Sequence, residues 1–347
     1  MIKYMKGNLL EDSSEALVNT VNTVGVMGKG IALQFKQAFP EVFREYEKSC
    51  RKNEVETGKM HIVDTSALVG PKYIINFPTK QHWKEKTKMS YITEGLKDLV
   101  KNVQELGIRS IAIPPLGCGN GGLDWSEVKP LIEKAFKDLD VDVRIYEPVG
   151  SPKADEMKIG TKTPRMTTSR ALLLASLNQY KEPDYRLSVL EVQKVAYFIQ
   201  ETGEPLKLNF TKEKYGPYAE NLNFVLQRLE GHFIRGYGDR NRSAEIYLIN
   251  SAEQKAFDYL KNSKTETKRL ERIRKVIEGF ETPYGMELLA TVHWVIKTKC
   301  PTSNEELIAE VQEWNARKKE LFPQKHIIKA YEHLKKVLIN KTETTTG

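Results

Sequence analysis

The stretch with the clearest chemical potential is residues 117–122, which read Gly-Cys-Gly-Asn-Gly-Gly. It follows an apolar, strand-like run at residues 110–113 and leads into a helical pattern from Ser126. A glycine-rich turn between a strand and a helix points several backbone N–H groups the same way and adds the positive end of the helix dipole. Such a turn can bind phosphate or another anion, although glycine-rich turns also serve as plain connections.

A second loop of the same kind lies upstream. Residues 22–32 follow a strand-like run at residues 16–18 and enter a helix. The glycine spacing is G-x-x-G-x-G, which differs both from the G-x-G-x-x-G of a dinucleotide-binding turn and from a Walker loop. Two phosphate-binding loops in one α/β domain indicate a ligand with two phosphates.

Three stretches together resemble the macrodomain, the module that binds ADP-ribose: residues 7–10, 22–32 and 117–125. The match covers residues 1–148. It includes residues 74–80, Ile-Ile-Asn-Phe-Pro-Thr-Lys, which are similar to the DarG family of macrodomain antitoxins. The resemblance implies a DNA ADP-ribosyl glycohydrolase that binds ADP-ribose and ADP-ribosylated DNA, with thymidine as the modified nucleoside.

The resemblance places the glycohydrolase lysine at Lys80, which follows a strand-like run and Pro78. A lysine acts as a nucleophile or base only when its pKa is lowered, and nearby cations lower it by disfavouring the charged form. Lys84, Lys86 and Lys88 follow closely, so they either contribute to this effect or are cancelled by solvation and by their distance in the fold. The alternative is a solvated lysine in a basic loop.

Hydrolysis of a sugar–base bond usually requires two carboxylates, and the loops show no such pair. Asp124 is the only acid beside the glycine loops, and its spacing to Glu127 favours a helix N-cap box. Some lysine-using relatives carry a catalytic aspartate where this sequence has Gly121, so acid assistance to Lys80 stays open. One activated lysine can suffice, because a ring nitrogen of thymine is a fair leaving group.

The remaining site residues are predicted as ligand contacts. The Asn22 carboxamide offers donors and an acceptor for the distal ribose hydroxyls, or it is simply an asparagine that suits a turn. Cys118 is expected to be a small residue in a tight turn, since no base partner is near it in sequence. Leu10 and Glu11 either flank the adenine or belong to an ordinary strand-end loop. The predicted substrate-binding set is Leu10, Glu11, Asn22, Gly28, Gly30, Ile31, Thr79, Gly117, Cys118, Gly119, Asn120 and Gly121, without a metal or cofactor.

These loops require a sheet whose strands end at one edge. Strand and helix patterns alternate over residues 1–148, which predicts an α/β domain with a mixed sheet and helices on both faces. Ligands of such sheets bind beyond the carboxyl ends of the strands, where both glycine loops fall. Pro40 suits the first turn of a helix, and Gly107 suits the position after a helix end.

The second half has a different pattern. Residues 149–164 are poor in large apolar side chains and predict a linker, and residues 165–347 predict a mainly helical, winged-helix-like domain. The expected elements there are a helix from a Ser188 capping box to Gly203, a turn at 214–218, a helix to about residue 230, a hairpin of 233–235 with 246–249, and four further helices from Ala252. The Tyr-Gly-Pro turn resembles antitoxin domains of the Panacea type.

Charge and composition indicate the kind of partner. The formal net charge is +8, and almost all of the surplus lies beyond residue 150. A basic half favours nucleic acid or an acidic protein surface, although it can also be a solvated face. The DarG resemblance implies a DarT-type toxin bound through residues 165–347. The alternative is a non-catalytic ADP-ribose reader that tethers a DNA-binding helical domain.

The location expected from the sequence is the cytoplasm. The three cysteines are far apart and lack metal-ligand spacing, which suits a reducing compartment. The N-terminus enters a strand-like run at once, which argues against a signal peptide. No apolar run approaches the length of a membrane span, so no membrane association is expected.

Overall fold

The structure is a computed structural model that describes residues 1–67, 69–149, 157–179, 185–238, 244–249 and 251–339. The chain divides into two compact units, Met1–Lys162 and Thr163–Gly347. The division lies within the predicted linker, of which residues 150–156 are outside the described residues. The end of that predicted linker is packed, because the Gly160 N–H donates to the Gln37 carbonyl at 2.7 Å. The boundaries at residues 148 and 165 stay predictions.

The described part of the first unit contains six strands and four α-helices. The strands are β1 (Ile2–Met5), β2 (Ala16–Val21), β3 (His61–Asp64), β4 (Tyr73–Pro78), β5 (Ser110–Ile113) and β6 (Asp142–Tyr146). The helices are α1 (Gly30–Ala38), α2 (Pro40–Arg51), α3 (Met89–Glu105) and α4 (Trp125–Phe136), with a 3₁₀ turn at Leu9–Glu11. The alternation of strands and helices predicted for this unit is present, including strands at the predicted strand-like runs 16–18 and 110–113.

The strands form one sheet in the order β1-β6-β5-β2-β4-β3. All neighbours are parallel except β3, which runs antiparallel to β4. Alternate residues of one strand enter different cores: Val18 packs with α3 and α4, whereas Leu17 packs with α1 and α2. The predicted mixed sheet with helices on both faces is therefore confirmed.

Local chemistry accounts for the helix ends. Pro40 is the first residue of α2, where its missing N–H costs no helical hydrogen bond. Gly107 follows α3 with φ +63°, which a residue with a side chain adopts reluctantly. The Asp124 carboxylate accepts the Ser126 N–H at 2.8 Å and so caps α4, as its position predicts.

The second unit is mainly helical and has its own apolar core. Its helices are α5 (Thr168–Leu177), α6 (Val189–Glu201), α7 (Leu222–Leu229), α8 (Ala252–Leu260), α9 (Lys264–Ile277), α10 (Pro283–Lys299), α11 (Asn304–Gln312), α12 (Ala316–Leu321) and α13 (Gln324–Leu334), followed by a π-helical turn at Lys335–Ile339. Its strands are β7 (Leu187–Ser188), β8 (Phe210–Glu213), β9 (Gly216–Ala219), β10 (Ile234–Arg235) and β11 (Glu245–Leu248). The Ser188–Glu191 capping box predicted for α6 is present.

Three predictions for this unit need correction. The sequence predicts four helices from Ala252 onward, whereas the described residues hold six α-helices, because short loops divide the apolar pattern more often than expected. Helix α5 was missed, because it is apolar nearly all round and lacks an amphipathic period. Residues 214–218 are predicted as a turn, whereas only residues 214–215 form the tip of a β8–β9 hairpin and residues 216–218 belong to β9.

The predicted hairpin forms from β10 and β11. Strand β11 also pairs with β7, which makes a three-stranded antiparallel sheet. Residues 239–243, in the predicted hairpin tip, lie outside the described residues. The winged-helix topology itself stays a prediction. In the part of the chain that the structure describes, no helix is both long and apolar enough to cross a membrane.

Candidate functional site

The predicted site residues gather where three parallel strands end. Strands β2, β4 and β5 are neighbours, and their carboxyl ends lead into residues 22–29, 79–88 and 114–124. The first two loops are bonded to each other: the Thr79 N–H donates to the Val21 carbonyl at 2.9 Å, and the Thr23 N–H donates to the Gln81 carbonyl at 3.1 Å. The three loops therefore lie side by side at one edge of the sheet.

Lys80 links the second loop to the third. It is the second residue after β4, and its side chain is only 8% exposed. The Lys80 Nζ donates to the main-chain carbonyl of Asn120 at 3.0 Å, so the amine lies against the glycine-rich loop. The structure thus brings Lys80 and Asn120 together, 40 residues apart in sequence.

The pKa of Lys80 is lowered from its ordinary value, but not for the reason that the sequence suggests. The cause is burial, which removes water from the charged form. Glu85 opposes this effect, because its carboxylate favours a protonated amine. Lys84, Lys86 and Lys88 are not among the causes of this shift. Their side chains are exposed, so of the two possibilities that the sequence left open, cancellation by solvation is the one observed.

The glycine-rich loop has a shape that two of its glycines require. Gly117 has φ +71°. A Cβ on Gly121 would lie 2.2 Å from the Gly117 carbonyl oxygen and 2.4 Å from Thr87 Oγ1. An aspartate at Gly121 would therefore collide with the loop itself, which explains why this chain cannot carry a catalytic acid there.

Gly119 is different from its neighbours. It is exposed, it has no positive φ, and an added Cβ would meet no protein atom within 4 Å. In this loop the positive φ angles belong to Gly117 and Gly122 rather than to Gly119. Its open side faces space into which a ligand could come close to the backbone.

The first loop leads into α1, and the N-terminus of this helix lies beside the third loop. The residue before the helix, Lys29, gives no side-chain cap, so the N–H groups of the first turn have no side-chain acceptor. An added Cβ on Gly30 would lie 3.4 Å from Asn120 Nδ2, which shows that the two glycine loops are adjacent. Ile31, in the first turn of α1, is half-buried against the apolar core that contains Leu17 and Phe35. Gly28 precedes the helix and is half-exposed. The arrangement suits an anionic ligand at the helix terminus.

The Asn22 carboxamide holds its own loop together. Its Oδ1 accepts the Val24 N–H at 3.0 Å and the Val26 N–H at 3.3 Å, and its Nδ2 donates to the Val26 carbonyl at 2.6 Å. The Tyr46 hydroxyl donates to the Asn22 carbonyl at 2.7 Å. The turn-forming alternative therefore describes most of what this side chain does, and one N–H remains for a ribose hydroxyl.

The two other chemically suggestive side chains in the third loop have ordinary roles. Burial raises the pKa of the Cys118 thiol to about 11, with a smaller contribution from Asp124, so the thiol is protonated at neutral pH. The Asp124 carboxylate is occupied in capping α4. Neither side chain forms a catalytic pair with Lys80.

Leu10 and Glu11 lie at the border of the site. Their 3₁₀ turn packs beside α1. Leu10 is 4% exposed in the same apolar core as Leu17 and Phe35, whereas Glu11 is exposed. Leu10 is thus first a core residue, and an adenine contact by this pair stays a prediction.

Sequence reasoning missed two residues that shape the site. Tyr46 reaches Asn22 from α2, and Thr87 donates its N–H to the Gly121 carbonyl at 3.0 Å. Thr87 is buried although it stands between exposed lysines, so local pattern gives no signal for it. Among the described residues, no cluster of three His, Cys, Asp or Glu side chains could hold a metal ion.

Comparison with known proteins agrees with this geometry. The Macro domain family matches residues 18–132. The chain is 48% identical over 337 residues to a DNA ADP-ribosyl glycohydrolase of Thermus aquaticus, covering 97% of this chain and 93% of that protein. A solved macrodomain of Mycobacterium tuberculosis DarG is 59% identical, covers 43% of this chain and 99% of its own, and has a TM-score of 0.43.

A third similar protein combines two activities in its name. It is a DNA ADP-ribosyl transferase–DNA ADP-ribosyl glycohydrolase fusion protein of Thermosipho africanus, 36% identical over 163 residues, which are 43% of this chain and 42% of that protein. The full-length similarity to the Thermus aquaticus glycohydrolase is the decisive finding, because it spans both units. This chain belongs to the DNA ADP-ribosyl glycohydrolase family, the DarG macrodomain enzymes.

Proposed function

We propose that the chain removes ADP-ribose from DNA bases, with thymidine as the modified nucleoside and Lys80 as the catalytic residue. The observation that carries the proposal is the buried Lys80 amine, 3.0 Å from the Asn120 carbonyl, between two loops suited to a diphosphate. The similar proteins named above act, by their names, on the same kind of bond. The enzyme is a hydrolase of the ADP-ribose glycosidic bond.

The chemistry follows from a neutral amine beside the distal ribose. The Lys80 lone pair attacks C1″, the bond from C1″ to the base nitrogen breaks, and that nitrogen takes up a proton. Water then attacks the lysyl–ADP-ribose, which releases ADP-ribose and restores the amine. The phosphate loops supply most of the binding energy and leave Lys80 free to act on the sugar.

For the second unit we propose a protein partner, a DarT-type toxin bound through residues 165–347. The basic surplus of this half supports an acidic surface as partner. The Thermosipho africanus fusion protein supports a functional pairing of transferase and glycohydrolase. The alternative partner for this unit is DNA.

One experiment separates the enzyme from a non-catalytic ADP-ribose reader. The protein is incubated with DNA that a DarT-type toxin has modified, and the adduct and free ADP-ribose are measured over time. Release of ADP-ribose with loss of the adduct supports the hydrolase. Stable retention of the adduct at saturating protein contradicts it and supports the reader.

A further inference from the structure

We propose that residues 81–88, here called the rim segment, form a platform for the single DNA strand that flanks the modified nucleotide. The proposal rests on the proposed function and adds a binding site to it. The rim segment includes an exposed tryptophan and three exposed lysines immediately beside Lys80. The proposed ligand of the rim segment is single-stranded DNA.

The rim segment is held at both ends within the site. At its start, the Gln81 carbonyl accepts from both the N–H and the hydroxyl of Thr23, at 3.1 and 2.9 Å. Near its end, the Thr87 N–H donates to the Gly121 carbonyl at 3.0 Å. Hydrogen bonds therefore fix residues 81 and 87, and the residues between them lie at the border of the site.

Trp83 is the aromatic surface of the platform. It is 51% exposed, and its ring lies 5.3 Å from the His82 ring, with an interplanar angle of 33°. The Lys84 Nζ lies 4.9 Å from the centre of the same ring. Trp83 is three residues from Lys80, which limits the distance between their Cα atoms to about 11 Å. A base next to the one that carries ADP-ribose is within reach of that ring.

The charge around Trp83 suits a phosphate backbone. Residues 80–88 contain four lysines and one glutamate. Among the described residues, no carboxylate forms an ion pair with Lys84, Lys86 or Lys88, so their charges are available to a ligand. Lysines alternating with an exposed aromatic ring are the usual means of binding single strands, in which bases stack and phosphates meet cations.

The ligand pocket alone gives no reason for this composition. The phosphate loops bind through backbone N–H groups, and the pKa of Lys80 is lowered by its own burial. An exposed tryptophan among cations adds nothing to either function. It does add affinity for a substrate that continues beyond the modified nucleoside.

The test compares two substrates on the full chain: an ADP-ribosylated nucleoside, and a short single-stranded oligonucleotide with the same modified base inside it. Trp83→Ala should lower kcat/KM on the oligonucleotide about tenfold or more, or ~1.4 kcal/mol. Hydrolysis of the nucleoside should stay within about twofold of the unaltered chain, because the nucleoside has no neighbouring base that could stack on Trp83. Trp83→Phe should retain most of the oligonucleotide activity.

A triple variant tests the cations. Lys84→Gln with Lys86→Gln and Lys88→Gln should reduce the slope of log affinity against log salt by about 2, since each single-strand phosphate contact contributes ~0.7. The matched control replaces exposed lysines on three helices and removes the same charge: Lys48→Gln, Lys101→Gln and Lys134→Gln. This control should leave the slope unchanged. An equal slope in both triple variants would overturn the proposal.

The proposed function and the platform can fail separately. If the unaltered chain hydrolyses neither substrate, the glycohydrolase proposal fails, and the platform is judged by affinity for the intact modified oligonucleotide relative to free ADP-ribose. Trp83→Ala should then lower the first affinity about tenfold and leave the second unchanged. If Trp83→Ala affects both substrates equally, or neither, the platform is rejected.

Discussion

At the scale of single residues, the site depends on how the chain keeps one amine away from water. Lys80 follows a fully buried strand, is itself buried, and donates its Nζ hydrogen bond to the glycine loop. Burial lowers its pKa, and the Asn120 carbonyl directs its Nζ toward the loop. The position of the amine and the lowered pKa thus have the same origin, which is the packing around Lys80.

Lys80→Ala should abolish adduct removal, with a loss of about a thousandfold or more, because the nucleophile is gone. ADP-ribose affinity should stay within about tenfold, or ~1.4 kcal/mol, since the phosphate loops remain. Lys80→Arg should be equally inactive, because a guanidinium stays protonated. The measurements are single-turnover release of ADP-ribose and calorimetry. Activity in the arginine variant would instead mean that Lys80 only donates to the Asn120 carbonyl.

The pH dependence follows from the direction of the Lys80 pKa shift. The amine must be neutral to attack, so kcat/KM should rise with pH through the Lys80 pKa and level off above it. Since burial lowers that pKa from 10.5, the rise should occur at lower pH than an exposed lysine would give. The rate is measured across this range together with the dissociation constant of ADP-ribose. A rate independent of pH, with constant binding, would contradict the nucleophile.

Two glycines of the third loop should respond differently to substitution. Gly119→Val adds bulk only on the open side, so it should weaken ADP-ribose binding at least about tenfold and leave the melting temperature unchanged. Gly121→Ala creates a 2.2 Å contact with the Gly117 carbonyl, so it should lower the melting temperature and the affinity together. Calorimetry and thermal unfolding separate the two effects. Unchanged binding in Gly119→Val would show that this side does not face the ligand.

At the scale of elements, the edge of the sheet is positioned by close packing of α3 on β4. Gly95 is buried in the middle of α3, and an added Cβ would lie 2.3 Å from Cζ of Phe77 in β4. A glycine inside a helix costs helix stability, so its benefit here is the close approach of helix and sheet. Phe77 leads directly into Pro78, Thr79 and Lys80, so this contact also supports the site.

Gly95→Ala should therefore destabilise the first unit. Overpacking costs about 1–3 kcal/mol and outweighs the ~1 kcal/mol that alanine gains in a helix. Phe77→Leu removes the ring atom that the added Cβ would contact. In the double variant it should therefore reduce the loss of stability caused by Gly95→Ala. Chemical denaturation of the four proteins gives the coupling free energy. Additive effects would show that the two residues do not share this contact.

At the scale of the whole molecule, each unit can bury an apolar core without the other. The cores of the first unit use residues from β1 to β6, and the core of the second unit uses residues from α5 to the π-helical turn. Two independent cores allow two independent functions on one chain. If the second unit binds the toxin as proposed, it and the hydrolase neutralise the same toxin by separate routes.

If the second unit binds the toxin as proposed, residues 165–347 expressed alone should protect cells from a DarT-type toxin, because they contain the whole apolar core of that unit. Full-length Lys80→Ala should also protect, at least partly. The first unit alone should protect only while its turnover keeps pace with modification. Cell survival and a pull-down of the toxin provide the measurements. The competing DNA-binding proposal gains support if the fragment retains no toxin but retards DNA in a salt-sensitive way.

Local patterns determined most of the first unit. Strand-like runs, Pro40, Gly107 and the Asp124 cap are read correctly from sequence, because each depends on a few neighbouring residues. The same holds for the Ser188 capping box and the β10–β11 hairpin of the second unit. The family resemblance came from short motifs, and it is confirmed by similarity along the whole chain.

Tertiary structure alone decided how the site residues work. The sequence offers neighbouring lysines as a possible cause of a lowered Lys80 pKa, whereas burial causes the shift, and the Lys80 Nζ donates to a loop 40 residues away. The sequence left ribose binding and turn formation open for Asn22, whose carboxamide is bonded to its own loop and whose carbonyl accepts from Tyr46 of α2. Burial and hydrogen bonding depend on residues that are distant in sequence and become neighbours only when the parallel strands align. Sequence therefore shows which residues can react, and packing decides which of them are covered, held or exposed.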